Sequence, residues 1–313
     1  MLTHHRFTAK AHPTRRWVIA IGNFDGVHLG HQALLRRAAS TAAILEAGAA
    51  VLTFDPHPKC VLNPAQEPQA LTPTGEKLRL VARHGLDGAF VCAFNRAVAG
   101  MPAELFVEQV LVRGLGTVHV VVGEGYRFGA RRMGDVGCLQ RMGALHGFGV
   151  TAVAPVRDDA GQVISSSRVR AALSGGRVAA ATHLLGRPWD ITGQGVPLQG
   201  IVSLPLGDLQ RPGAGVYLVR IAEDDGGPVD WDTAAESPAW ISRSTGDDRL
   251  HVTLPAHLLK TTAFRVRLTG RLSADAPVGR MPVSSATGEK AGRTVPHDLA
   301  HRLRPLSEPT ALP

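Results

Sequence analysis

Unbroken apolar runs, rather than alternating ones, dominate the first half of the chain. The run at residues 17–21 ends in a glycine-rich turn, and an alanine/leucine segment follows over about 32–47. That order reads as strand, tight turn and helix, the opening half of a βαβ unit. A second run at 49–54 closes the unit and enters the rigid loop Asp55-Pro56-His57-Pro58, where two prolines oppose regular structure. Further runs at 88–94, 118–122 and 149–154 are interleaved with helical patterns at 75–84, 102–113 and 135–146. Hydroxyl residues open another helix over 164–170, and 178–185 continues the helical pattern. Buried strands alternating with helices predict an α/β fold, a Rossmann-like doubly wound parallel sheet.

The pattern changes at Gly186-Arg187-Pro188-Trp189. Beyond it, β-like runs at 189–192, 215–221, 250–254 and 263–271 are separated by Gly/Asp/Pro turns, which predicts a small antiparallel β-barrel-like domain. The expected organisation is a loose basic arm (1–16), an α/β domain (17–187), a β domain (188–272) and a Pro/Ser-rich tail (273–313) with a short helix at 297–303.

Composition narrows the class. With 44% hydrophobic and 19% charged residues the chain is globular. The net charge of +8 suits an anionic partner, but the arginines are dispersed and aromatics make up only 5%, so a nucleic-acid groove is not expected. Cys60, Cys92 and Cys138 form no metal or disulfide framework. No apolar stretch reaches membrane-span length and residues 1–16 lack a signal-peptide core, so a cytoplasmic protein is expected.

The chemistry centres on His28-Leu29-Gly30-His31, where the glycine-rich turn becomes helix. A helix start exposes unpaired N–H groups and binds anions, phosphate above all. Two imidazole donors placed there can stabilise charge on a transferring phosphate. Metal binding is the competing reading, but no carboxylate or cysteine is placed to complete such a site; a structural role for either histidine is the other. The chain has neither GxxxxGK[ST] nor GxGxxG, which disfavours a P-loop enzyme and a hydride-transferring dinucleotide enzyme.

The stretch 22–31, GNFDGVHLGH, is similar to the HxGH signature of the nucleotidylyltransferase superfamily. Joined to Thr53-Phe54-Asp55-Pro56-His57-Pro58, to residues 94–107, to the Gly/Arg loop 123–134 and to residues 164–170, it resembles the FMN adenylyltransferase module of bacterial bifunctional riboflavin kinase/FAD synthetase over about 17–192. The resemblance implies transfer of AMP from ATP to FMN, giving FAD and pyrophosphate, with Mg2+ accompanying ATP. It implies that His28, His31 and Arg168 are catalytic. Gly22, Asn23, Phe24, Asp25, Gly30, Ser165 and Ser166 would bind ATP, and Phe54, Pro56, His57, Pro58, Tyr126 and Phe128 would line the flavin side.

Two departures stand out. The family loop usually reads G-x-[DN]-F-x-F-G, whereas this chain has Gly125 at the polar position. In the β domain, Leu206 occupies the segment where the kinase family carries ligands for magnesium and ATP, and residues 249–254 contain no glutamate. A degenerate riboflavin-kinase-like domain without kinase activity is therefore expected. An adenylyl- or cytidylyltransferase acting on another phosphate acceptor, and a non-catalytic flavin- or nucleotide-binding regulator, are the alternative functions.

Overall fold

The computed structural model describes residues 3–6, 16–63, 70–243 and 248–273. The expected tail beyond 273 and its helix at 297–303 lie outside these. The chain divides into two compact units, one comprising residues 1–189 and 207–211, the other 190–206 and 212–313.

The first unit is built on a parallel sheet of β1 (Thr3–Arg6), β2 (Trp17–Ile21), β3 (Gly48–Asp55), β4 (Gly88–Ala93), β5 (Thr117–Gly123) and β6 (Gly149–Val153), in the spatial order β1-β4-β3-β2-β5-β6. Each neighbouring pair is parallel. All five residues of β2 are buried, with Trp17, Ile19 and Ile21 in one core and Val18 and Ala20 in the other. That two-sided burial is why the strand reads as an unbroken apolar run. α1 (Leu29–Ile44), α2 (Pro58–Leu62), α3 (Thr74–Ala82), α4 (Arg96–Ala99), α5 (Ala103–Phe106), α6 (Val136–His146), α7 (Ser166–Ser174) and α8 (Val178–Leu185) complete the unit. Leu35 and Ala38 of α1 and Leu80 and Val81 of α3 pack on one face; Phe106 of α5 and Leu139 of α6 pack on the other. The expected doubly wound fold is present. From β2 the chain moves outward to β3 and β4, then returns to β5 on the opposite side, so the strand order reverses between β2 and β5. Ligands of open α/β sheets bind at such a point.

Three local expectations are corrected. Residues 3–6, assigned to a loose arm, pair in parallel with β4 and form an edge strand of the sheet; residues 7–15 are outside the described set. The proline loop is not free of regular structure, because Pro58 is the first residue of α2, where a missing N–H costs nothing. Beyond α5, residues Val107–Gly114 wind as a π-helix rather than continuing the α-helix predicted over 102–113.

The second unit contains β7 (Trp189–Gln194), β8 (Ile201–Pro205), β9 (Val216–Glu223), β10 (Ala235–Ser242), β11 (Arg249–Thr253) and β12 (Ala263–Ser273), ordered β7-β12-β9-β10-β11-β8. The pairs β12·β9, β9·β10, β10·β11 and β11·β8 are antiparallel, and β12 carries register shifts near Gly270 and beyond Arg271. Tyr217, Val219 and Ile221 alternate inward along β9.

Candidate active site

The turn between β2 and α1 crosses the switch point with two non-glycine residues in the left-handed region, Phe24 (φ 49°) and the β-branched Val27 (φ 44°). Such residues cost of order 1–3 kcal/mol each and persist where the surroundings over-determine them. Here both side chains are fully buried, and five polar backbone atoms of the turn are held by side chains. The Asn23 carbonyl accepts from Thr53 Oγ1 at 3.1 Å and from Lys77 Nζ at 3.3 Å. The Asp25 carbonyl accepts from Ser166 Oγ at 2.9 Å. Gly26 donates to Thr72 Oγ1 at 3.1 Å, and its carbonyl accepts from Arg187 at 2.9 Å. Gln32 Nε2 bridges the carbonyls of Val27 (3.0 Å) and Leu185 (2.8 Å).

Asp25 is the keystone of this arrangement. Its buried carboxylate accepts the Leu71 and Thr72 N–H groups at 2.9 and 3.2 Å and pairs with Arg170. Burial pushes its pKa up, opposed by Arg170 and by those two amides.

The turn delivers His28 and His31 to the start of α1. His28 is the N-cap, and its Nδ1 accepts the His31 N–H at 3.3 Å. A nitrogen that accepts a hydrogen bond carries no proton, so the neutral His28 ring holds its proton on Nε2. The two rings stack at 3.7 Å between centroids, and His31 also lies 5.3 Å from the Phe24 ring. Burial, then Arg170, pulls the His28 pKa down to about 4. Burial, then His28 and Lys77, holds His31 well below the usual imidazole range. Both rings are therefore neutral in the free protein at neutral pH. The His31 Nδ1 atom is buried without a hydrogen-bond partner among the described residues. Gly30 allows this geometry: a Cβ there would lie 3.1 Å from the His28 ring.

Beside the turn, a cleft of about 520 Å3 opens between the loops that follow β2 and β5. It brings together Gly22 and Asn23 with four of the residues expected on the flavin side, Phe54, Pro58, Tyr126 and Phe128. Tyr126 stacks on Phe128 at 5.6 Å, and burial raises its phenol pKa. Pro56 and His57 do not join them. They border a separate cavity of about 300 Å3 with Lys77 and Asp25, and Phe54 borders both. His57 instead caps α2, its Nδ1 accepting from Lys59 N–H at 3.1 Å; burial, then Arg170, lowers its pKa to about 4.

The residues expected to hold the triphosphate divide in two. Ser165 caps α7, and Ser166 fastens the turn through the Asp25 carbonyl. Arg168 binds Asp158 at 2.5 Å and the carbonyls of Gln162 and Val163. Phe24 and Asp25, expected at the nucleotide, point their side chains into the protein. Lys77, Thr72 and Gln32 hold the turn without having been singled out by motif, and Arg187, from the segment 186–189 that ends the α/β pattern, joins them. Lys77 is a buried cation whose pKa burial lowers, and it sits on Thr53 Oγ1 and the carbonyls of Asn23 and Phe54. Its task depends on strands brought together only by folding.

A neutral histidine pair therefore opens a helix on a buried turn at the switch point of a Rossmann-like sheet, where open α/β sheets bind ligands. The family profile for FAD synthetase matches residues 10–168, half of the chain. The bifunctional riboflavin kinase/FMN adenylyltransferase of Pseudomonas fluorescens is 37% identical over 218 residues, covering 67% of this chain and 70% of that protein. The protein of that name from Escherichia coli K12 is 36% identical over 217 residues, covering 67% and 69%. The chain belongs to the FAD synthetase family. A solved structure titled as a macrolide-efflux protein from Streptococcus pneumoniae superposes with a TM-score of 0.74 at 22% identity, over 91% of this chain and 93% of that one, a likeness of fold alone.

Proposed function

We propose that this chain is an FMN adenylyltransferase whose reaction centre is the His28/His31 turn. The observation that carries the reading is the junction of that turn with an aromatic-walled cleft through Gly22 and Asn23. A phosphate oxygen of FMN attacks the α-phosphorus of ATP. The bond from that phosphorus to the bridging oxygen breaks, pyrophosphate leaves and FAD forms. No protein nucleophile is needed, so the protein contributes position and charge stabilisation.

Neutral His28 donates its Nε2 proton in a hydrogen bond to phosphate oxygen, and His31 presents its ring beside it. The amides opening α1 add a fixed positive pole. Phe54, Pro58, Tyr126 and Phe128 bury the isoalloxazine and exclude water. Arg168, a third exposed, turns to the triphosphate and leaves the Asp158 carboxylate to the Ala160 and Gln162 N–H groups that it already accepts. Asp25, Ser166, Phe24 and Gly30 act through the turn, as positioning residues. Among the described residues no group of three or more His, Cys, Asp and Glu could hold a metal ion. Magnesium therefore enters with the ATP phosphates, has no assigned protein ligands, and carries no step here.

The second unit is without riboflavin kinase activity in this reading. Leu206 is fully buried as core, and β11 presents Leu250, His251 and Val252 with no carboxylate. No helix among the described residues is long and apolar enough to cross a membrane, and the three cysteines are free, which suits the cytoplasm.

Purified protein with ATP, magnesium and FMN should form FAD, and with riboflavin in place of FMN it should form neither FMN nor FAD. His28→Ala or His31→Ala should lower turnover by roughly 10²–10³-fold if each ring stabilises the transition state. Near-normal turnover in either variant removes that ring from the chemistry.

A further inference from the structure

Two arginines on the loop after β5 have no task in the reaction described above. The base of this loop is closed: Phe128 and Gly134 exchange backbone hydrogen bonds at 3.1 and 2.9 Å, and Ala130 N–H donates to the Met101 carbonyl at 2.8 Å. It also sits tightly on the start of α5, since a Cβ on Gly129 or Gly134 would come within 2.8 or 2.7 Å of Ala103. At the tip, Arg131 and Arg132 adopt φ of 52° and 59°, both in the left-handed region. Arginine gains nothing from that conformation, so the loop holds two cations in a backbone state that glycine would fill more easily.

Both side chains border the 520 Å3 cleft. Arg127 borders it too, but pairs with Asp135 at 3.4 Å. Arg131 and Arg132 have no ion pair among the described residues, and no Asp or Glu borders the cleft. The cleft therefore joins aromatic walls to a cationic rim with no acidic counterweight. Such a rim raises the local concentration of anions and leaves neutral molecules unaffected. Guanidinium groups also match phosphate oxygens in geometry.

We propose that Arg131 and Arg132 make this cleft select its acceptor by charge, admitting a flavin that ends in a phosphate monoester over the same flavin ending in a neutral hydroxyl. The proposal rests on the flavin reading of the cleft. It has a chemical rationale: a flavin without the phosphate offers the α-phosphorus only a neutral hydroxyl, which cannot give the pyrophosphate linkage of FAD, and its binding would occupy the site without yielding FAD. On the reading that the second unit lacks kinase activity, the phosphorylated flavin is supplied by a separate phosphoryl-transfer reaction, and both forms compete for the cleft.

The test is titration of the full-length protein with FMN and with riboflavin, followed by flavin fluorescence, at low and high salt. The proteins compared are the wild type, the double variant R131Q/R132Q and the charge-keeping R131K/R132K. Wild type should prefer FMN by on the order of tenfold or more at low salt. R131Q/R132Q should lose that preference through weaker FMN binding, with riboflavin binding unmoved, and R131K/R132K should keep most of it. High salt should weaken FMN binding to wild type and leave R131Q/R132Q nearly unchanged. Equal weakening of both flavins in R131Q/R132Q would mean that the arginines pack on the ring, and overturns the proposal. So does wild-type binding without preference. FAD formation is followed in parallel: charge-selective binding without AMP transfer supports the selection and overturns the reaction, whereas binding of neither flavin overturns both.

Discussion

Removing the Asp25 carboxylate tests whether the turn is held as described. In Asp25→Ala the Leu71 and Thr72 amides lose their acceptor and Arg170 loses its carboxylate inside the protein. Taking one partner from a buried ion pair costs about 3–5 kcal/mol. Each buried amide left unmade adds about 1–3 kcal/mol, although the terms overlap. An overall destabilisation of about 4–6 kcal/mol follows, large enough to unfold a marginal domain. Asp25→Asn keeps an oxygen for both amides and loses only the charge, so its loss should be about 2 kcal/mol. Urea unfolding gives the two differences, and hydrogen exchange at Leu71 and Thr72 localises them: both amides should lose protection in the Ala variant and keep most of it in the Asn variant. The Asn protein should bind flavin while forming FAD more slowly, because the histidines are positioned less firmly. A destabilisation below about 1 kcal/mol for Asp25→Ala, with Leu71 and Thr72 still protected, would refute the reasoning.

Stability should also depend on pH through His28. Its pKa is about 4 in the folded protein against 6.5 when exposed, so below 6.5 the unfolded chain takes up a proton that the folded one refuses. The stabilisation is complete above about pH 6.5 and shrinks as pH falls toward 4, by about 3 kcal/mol. His28→Asn, which keeps a capping acceptor, should show a shallower decline in urea midpoints over that range; equal slopes would exclude His28 as the source. At Gly125 a Cβ would meet nothing within 4 Å, so Gly125→Asn should fold normally and, by adding one hydrogen bond to flavin worth about 1 kcal/mol, lower KM for FMN roughly fivefold. An unchanged KM would show that position 125 does not face the acceptor. In Gly134→Ala the new methyl would lie 2.7 Å from the Ala103 side chain and 2.8 Å from the Phe128 ring, so Tm should fall with a loss of about 1–3 kcal/mol, and an unaltered Tm would contradict the close contact.

The parallel sheet was legible because its central strands are buried on both faces and spell themselves out as apolar runs. β10 was not, since Glu236, Ser237 and Pro238 interrupt its run, and its place is set by pairing with β9 and β11. β8 follows a Gly/Pro-rich stretch and has only a short apolar run of its own, although β11 pairs along its whole length. At the site, the motif located the turn and both histidines but gave no means of separating side chains that face a ligand from those that build the turn. Asp25 and Phe24 fall in the second group because their partners, Leu71, Thr72, Arg170 and the core, come from distant parts of the chain. The same limit separated His57 from Pro58: one residue apart in sequence, they border different cavities.

The fastening of the turn has a consequence for how the protein is made. Its residues are synthesised early, but Ser166, Arg170, Leu185 and Arg187, which fasten it, follow their partners by 141, 145, 153 and 161 residues. At ribosomal speeds of about 5–20 residues per second, the unfinished turn waits roughly 7–30 s for them. β2 and β3 can pair in that interval, yet the turn that carries the strained Phe24 and Val27 conformations still lacks its contacts to Ser166, Leu185 and Arg187. Competence therefore arrives late and all at once. A nascent chain stalled after residue 168, where the FAD synthetase match ends, would carry the signature residues without Arg170, Leu185 or Arg187 to set them.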